Sequence, residues 1–457
     1  MKRLLKNGIL IYSDRKEQKD LLMEGEKIVK IEAGIDPGEA DEVVDVTGKL
    51  LFPGFIDPHV HFDLEVSNTV TADDYYSGSK AAIAEGTTVI IDFATQNRGE
   101  TIAEGLRHWD LKSQGNSNCD YGYHMAISEW NKTISEEIGR MAEQGITSFK
   151  LYMTYDAMYL NDGDIYRALK RIKEVGGLVG VHCENREVID VLVKEAQAQQ
   201  HMSPALHGRT RPWQTEAEAI DRLINIASIV DTPIMVVHLS TAAGYGVIMK
   251  ARERGQKVYV ETCPQYLLMT QDKYELPDFE GAKYIIAPPL RTKQDQEALW
   301  AGLIGNHINT IGTDHCSFTW KQKQAGRDDF TKIPGGMPGV ENRPSLIYTF
   351  GVRTGKLTVE QMCAYLSENP ARLYGLYPRK GSLEPGSDAD IVVWNPETKR
   401  ILTKETQIAA TDYHPYEGTT VWGMAEQVYL RGRLTASDGS LVQERAGIYL
   451  SRKNGEI

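Results

Sequence analysis

The sequence predicts an α/β fold, a (β/α)8 TIM-like barrel with a small β-sandwich domain made from both chain ends. Two observations predict it. Eight short apolar segments alternate with stretches of helical period from Pro53 to beyond Asp314. Strand-like alternation of apolar and polar residues occupies both ends of the chain.

Taken in order, ILIYS, DLLMEGEKIVKIEAG and DEVVDVTGKLLFPG open the chain as short strands broken by Gly and Asp. The eight barrel segments then follow: GFIDPHVHF, TTVIIDFA, YGYHMAIS, ITSFKLYM, GLVGVHCE, PIMVVHLS, KVYVETCP and NTIGTDHC. Stretches between them, such as ISEEIGRMAEQG, DIYRALKRIKEVGG and EAEAIDRLINIASIV, have helical period and end near Gly or Asp. An open doubly wound sheet is the competing fold, but no Gly-rich phosphate turn follows the first strand. LTVEQMCAYLSE and NPARLYGL read as closing helices, and strand character returns in GSLEPGSDADIVVWNP and EQVYLRGRLTASDG. The expected division is residues 1–52 with 377–457 as one small β domain and 53–376 as the barrel. The final RKNGEI is polar and expected to be loose or bound to a partner.

Bulk properties narrow the function. Of 457 residues, 41% are hydrophobic and 25% charged, which is ordinary for a globular protein. A net charge of −12 with no long basic run argues against nucleic acid or an anionic membrane as partner. No apolar run approaches the roughly twenty residues that span a bilayer. The opening MKRLLKNGILIYSDRKEQKD has no sustained apolar core of the signal-peptide kind. Five cysteines, none in a CxxC pair, speak against a disulfide framework, and a reducing cytoplasm is the expected location.

The chemistry lies at the carboxyl ends of the barrel segments, where barrels of this kind carry their active sites. His59 and His61 are spaced i, i+2, so on a strand both imidazoles face one side and can grip one metal ion. Alone, such a pair is more often a surface or packing pair. Its position, shared with His182, His238 and Asp314, favours a metal centre. Lys150 sits inside a segment that should be buried, where a bare ammonium would cost roughly 4–7 kcal/mol. Either a partner carboxylate offsets that cost, or the neutral amine takes up carbon dioxide and becomes an anionic carbamate that bridges two ions. Four histidines and one aspartate alone would leave two dications poorly neutralised, which favours the carbamate.

With these residues in place, the chain resembles the cyclic amidohydrolases, and within them the dihydropyrimidinase and D-hydantoinase group. FPGFIDPHVHFD, TVTADDYYSGSKAA, GTTVIIDF, SFKLYMTY, VHCEN, VHLS, ETCPQYL, APPLR, GTDHCSF, PGVENR, NPARLYGLYPRKGSLEPGSDADIVVW and DYHPYEG match its pattern in order. The resemblance implies a binuclear hydrolase that opens 5-substituted hydantoins or dihydropyrimidines to N-carbamoyl amino acids. It implies two Zn2+ or other divalent ions per chain. His59, His61, Lys150 and Asp314 would hold one, and His182 and His238 the second, with Lys150 modified to N6-carboxylysine as the bridge. Asp314 would shuttle the proton and Tyr155 would bind substrate and stabilise the oxyanion. Where the family commonly has Ser and Asn, at backbone positions that hold the cyclic amide, this chain has Ala287 and Gly335. Leu64, Tyr152 and Tyr159 would line the pocket mouth. Relatives acting on dihydroorotate follow HxH with arginine; here Phe62 and Asp63 follow, which disfavours an anionic ring.

An allantoinase-like cyclic ureidase is the alternative within the same chemistry. A non-catalytic scaffold of the collapsin-response type is the alternative outside it, disfavoured because all six ligand positions are kept. The family's usual homotetramer or homodimer is the expected assembly, and a small cyclic amide the expected partner. His201, His207, His307 and His414 are expected to be solvated, while His315 is expected to be structural. Cys183 and Cys316 are expected to pack. His108 and His124 carry no assignment.

Overall fold

The computed structural model describes residues 1–66, 68–199 and 202–457. Eight parallel strands form its centre: β1 (Phe55–Val60), β2 (Thr87–Thr95), β3 (Asp120–Ala126), β4 (Ser148–Tyr152), β5 (Leu178–His182), β6 (Ile234–Val236), β7 (Val258–Thr262) and β8 (Thr310–Ile311). They pair in chain order. Past the two edges, Asp314 N donates to His59 O at 2.9 Å and His61 N to His315 O at 2.8 Å, so the ring closes at the carboxyl end of β1. All eight expected barrel segments are therefore strands of one barrel. They read as near-continuous apolar runs because both faces of each are covered, one by the barrel interior and one by helices.

The helices begin where short polar side chains cap them. Asn131, Asn161 and Asn185 each accept a backbone N–H in the first turn of Lys132–Glu143, Asp162–Glu174 and Arg186–Ala198. Ile134, Ile138 and Met141 of the first helix are buried at i, i+4, i+7, the apolar stripe that packs it on the barrel.

A nine-stranded sheet draws on both ends of the chain. Its seam is the antiparallel pairing of Ile391–Ile401 with Leu50–Pro53, in which Ile391 faces Pro53 and Trp394 faces Leu50. Trp394 packs edge-on against Phe52 and Phe55, with centroids 6.4 and 6.0 Å away, and all three are buried. Buried Lys380 bonds Asp120 at the start of β3 and Asp390 beside the seam, both at 2.7 Å, tying sheet to barrel.

The C-terminal tail departs from expectation. RKNGEI is docked on the chain's own barrel: Arg452 N donates to Gly145 O at 3.1 Å and Glu456 N to Arg372 O at 2.9 Å. Just before it, Leu450 N donates to Tyr121 O at 2.7 Å. Polarity misled here because the tail is held through its backbone, which satisfies peptide groups at the amino end of the barrel. Gly375 (φ +70) permits the approach, since a Cβ there would stand 1.8 Å from Lys453 O.

Candidate metal centre

The carboxyl end of the barrel brings the six expected ligand residues together. His59 lies in β1, with His61 immediately after it, while Asp314 follows β8. Nε2 of each histidine is 3.1 Å from the same Asp314 oxygen. The ligand atoms of the three lie within 4.8 Å of one another. A second pair forms beside them. His182 ends β5 and His238 follows β6, and His182 Nδ1 is 3.0 Å from His238 Nε2. The rings of His59 and His238 are 5.5 Å apart, so the two groups are neighbours.

Lys150, in β4, is 1% exposed, and its Nζ lies 4.9 Å from the Phe93 ring centre and 5.2 Å from that of Tyr152. Among the described residues no carboxylate forms an ion pair with it, so the simple rescue by a partner carboxylate is not what the structure holds. Burial drops its pKa to about 8, with Asp314 and Glu261 opposing from a distance. Its charge acts in turn on His59, His61, His182 and His238, which places it within the field of both histidine groups.

Two carboxylates outside the expected site residues orient the histidines. Glu261, in β7, bonds His59 Nδ1 at 2.6 Å, which leaves Nε2 facing Asp314. Glu184 bonds His182 Nε2 at 2.7 Å, which leaves Nδ1 facing His238, and Arg211 holds Glu184 at 2.7 Å. Carboxylate-to-histidine contacts of this kind fix the tautomer of a metal ligand. A buried glutamate ending the strand KVYVETCP, and another two residues after His182, were the available signals.

Electrostatics sort the site. Burial alone would lower His59, but Glu261 and Asp314 outweigh it and push the ring up to about 9. Burial pulls His61 down to about 4 and His238 well below its ordinary value. Burial would raise Asp314, yet the adjacent His59 and His61 hold it well below the usual carboxylate range. The backbone is unusual as well: Tyr155, His238 and Asp314 adopt φ of 68°, 40° and 53°, a region that non-glycine residues seldom occupy.

The side chains fit a metal. His59 Nε2 is buried and, although 3.1 Å from an Asp314 oxygen, is not aligned to hydrogen-bond it, so nitrogen and oxygen converge as two ligands of one cation would. Imidazole nitrogens with a carboxylate oxygen are a donor set suited to zinc and its neighbours.

Of the expected recognition residues, Tyr155 is nearest the histidines, its ring 5.0 Å from that of His182. Tyr152 stacks on His182 at 6.0 Å. Tyr159 bridges to Tyr152 and lies under the Arg186 guanidinium at 4.8 Å. Leu64 packs partly buried against the main core. Ala287 is half-buried and Gly335 exposed. A Cβ at Gly335 would meet nothing within 4 Å, so space does not demand glycine there.

The remaining histidines correct the expectation of solvation. His207 and His414 are 8% and 4% exposed. His207 Nε2 donates to Ile286 O at 2.6 Å, and His414 Nδ1 accepts from Tyr416 N at 3.0 Å. His307 is half-buried and bonded to the Tyr245 hydroxyl at 2.6 Å. Loops fold over these rings, a burial that lacks any periodic signature. His201 lies outside the described residues. His315 is structural, as expected, with Nε2 3.1 Å from Asp73 and Nδ1 accepting from Gly339 and Val340 N–H. His124 is buried between Ser148 and Pro58 O, and His108 is half-exposed near Glu100. Cys183 and Cys316 are buried and free, as expected.

A model of the amidohydrolase family matches residues 50–435. A D-hydantoinase of Geobacillus stearothermophilus is 42% identical over 99% of this chain and 97% of its own. The crystal structure of a dihydropyrimidinase from Brevibacillus agri NCHU1002 superposes with a TM-score of 0.98 at 40% identity, covering 100% of both chains. An L-hydantoinase (dihydropyrimidinase) from Arthrobacter aurescens superposes with a TM-score of 0.89 at 28% identity, covering 98% of this chain and 99% of that one.

Proposed function

Because the chain belongs to the amidohydrolase family and to its hydantoinase and dihydropyrimidinase group, we propose that it opens the ring amide of 5-substituted hydantoins or dihydropyrimidines to give N-carbamoyl amino acids. The observation that carries the reading is the meeting of His59, His61 and Asp314 with His182 and His238 beside a buried lysine that has no carboxylate partner among the described residues.

His59, His61 and Asp314 would hold one divalent ion, zinc by preference, and His182 and His238 the second. Lys150 would be shared by both as N6-carboxylysine. Its neutral amine adds to carbon dioxide, forming an N–C bond and releasing one proton. When bound, the two ions supply an acidified water and polarise the scissile carbonyl.

The chain's own groups do the rest. In hydrolysis the water oxygen bonds to the ring carbonyl carbon, the ring C–N bond breaks, and the nitrogen leaves protonated. Asp314, kept a carboxylate by its contacts with His59 and His61, takes the water proton and passes it to that nitrogen. The Tyr155 hydroxyl, pushed above its ordinary pKa by burial, remains a donor to the developing oxyanion. Ala287 and Gly335 offer backbone groups to the cyclic amide.

Phe62, directly after His61, is buried against Tyr75 and His315. It brings no cation for a ring carboxylate, so we place neutral rings ahead of dihydroorotate. Tyr152, Tyr159 and Leu64 are assigned to the exocyclic substituent. The D-enantiomer is favoured because the D-type relative at 42% identity stands nearer than the L-type at 28%. A reducing cytoplasm fits five free, buried cysteines, and a homotetramer or homodimer is the proposed assembly. Among the described residues no helix is long and apolar enough to cross a membrane.

Turnover by zinc-loaded protein on dihydrouracil, D- and L-phenylhydantoin, allantoin and dihydroorotate tests the proposal. Ring opening of dihydrouracil or D-phenylhydantoin ahead of the others is expected. A preference for allantoin or dihydroorotate, or no ring opening at all, would overturn it.

A further inference from the structure

The two loops that carry Ala287 and Gly335 are fastened to each other by one buried ammonium. Lys323, in the short helix Trp320–Gln324, is 0% exposed. Its Nζ donates to Ile285 O at 3.1 Å, Pro334 O at 2.8 Å and Gly336 O at 2.7 Å. An ammonium has three N–H donors, and each meets one carbonyl. No carboxylate pairs with it among the described residues, so its charge is not there to neutralise another. Charge-assisted bonds of this kind are about twice as strong as neutral ones.

The carbonyls it holds flank the recognition positions. On one loop, Ile285 O also accepts from Gly336 N at 2.9 Å, and Ile286 O accepts from His207 Nε2 at 2.6 Å. Pro288 O accepts from the Tyr266 hydroxyl at 2.7 Å, and Leu290 N donates to the Tyr274 hydroxyl at 2.7 Å. On the other loop the carbonyls of both neighbours of Gly335, Pro334 and Gly336, accept from Lys323. Gly336 is pressed so close that a Cβ would stand 2.3 Å from Cys316 O. Between these pins, among the described residues, both backbone polar groups of Ala287 and the N–H of Gly335 have no protein partner. The Gly335 carbonyl meets only Cys316 Sγ, at 3.9 Å. Backbone left free between anchored neighbours is what a rigid hydrogen-bonding edge for a ligand requires.

We propose that Lys323 is a positioning residue: it sets the separation and orientation of the peptide groups at Ala287 and Gly335 that hold the cyclic amide. The inference rests on the proposed function above. Alanine and glycine at these positions bring no side chain of their own to hold the loops, which leaves the spacing to the buried ammonium and the single backbone bond from Gly336 N to Ile285 O.

Steady-state kinetics on whichever ring the intact protein opens, with zinc content and thermal melting measured alongside, test it in Lys323→Met and Lys323→Arg. The methionine variant is expected to keep its metal and raise KM about tenfold or more, with a smaller change in kcat. The arginine variant, which keeps donors and charge, is expected to recover part of that loss. A residue that merely stabilises the fold would lower the melting temperature and leave KM alone. KM within about twofold of the parent in both variants would overturn the inference while leaving the proposed function standing. If only Lys323→Arg folds, a raised KM in it upholds the inference and an unchanged one overturns it. If neither folds, Lys323 serves stability and the inference is overturned. Intact protein that opens no ring overturns both.

Discussion

Nδ1 of His59 lies 2.6 Å from a carboxylate oxygen of Glu261, and both side chains are 1% exposed. The same oxygen is 3.3 Å from His238 N, so one carboxylate braces a residue of each histidine group. Glu261→Gln keeps an acceptor but loses the charge that orients and strengthens the imidazole. Zinc affinity, measured against a competing chelator, is expected to fall by roughly 10–100-fold. Unchanged affinity would mean that the contact does not serve the metal.

Asp314 touches both His59 and His61 through one oxygen, at 3.1 Å from each. Asp314→Asn keeps an oxygen there but cannot carry a proton. Zinc content is expected to persist while kcat falls by roughly 10²–10⁴-fold. Near-normal turnover in this variant would remove Asp314 as the proton shuttle.

These two residues show how far the sequence could be read. Asp314 was legible because it follows an apolar barrel strand, where a carboxylate has few structural excuses. Glu261 lies near the carboxyl end of such a strand too, but its meaning depends on His59, 202 positions away in the chain. Pairings across a barrel leave no local spacing to detect. The strands themselves were legible because burial on both faces writes a continuous apolar run, as in TTVIIDF. His207 was misread for the opposite reason: its burial comes from irregular loops around residues 274–286, which have no period. Lys323 was invisible on the same ground, since its partners are backbone carbonyls.

Gly335 has open space around its Cβ position and no positive φ. Gly335→Asn, which installs the residue usual at that place in the family, should therefore fit. Reduced freedom of the unfolded chain is expected to raise stability by about 0.4–1 kcal/mol with turnover retained. Chemical denaturation and kinetics check it. Loss of substrate binding would mean that a bare backbone is required at this position.

Glu341 is buried, and burial raises its pKa to about 7 against the N–H bonds it accepts from Ala409 and Ile408. The folded chain therefore binds this proton more tightly than the unfolded one, whose value is the ordinary 4.5. The group costs nothing below that ordinary value and destabilises progressively as pH rises through about 7. Glu341→Gln keeps an acceptor oxygen for both N–H groups and removes the titration. Its stability relative to the parent is expected to rise between acid and mildly alkaline solution, by about 1–3 kcal/mol in all. Melting curves across that range read it, and a constant difference would show that Glu341 titrates in the fold as it does in the unfolded chain.

The proposed catalysis depends most on what Lys150 becomes. Protein prepared with zinc and ¹³C-labelled bicarbonate should show one carbamate carbon resonance per chain with about two zinc ions bound. Both should be lost together in Lys150→Met. A chain that binds two zinc ions and turns over cyclic amides with no carbamate resonance, its lysine a free amine, would contradict it.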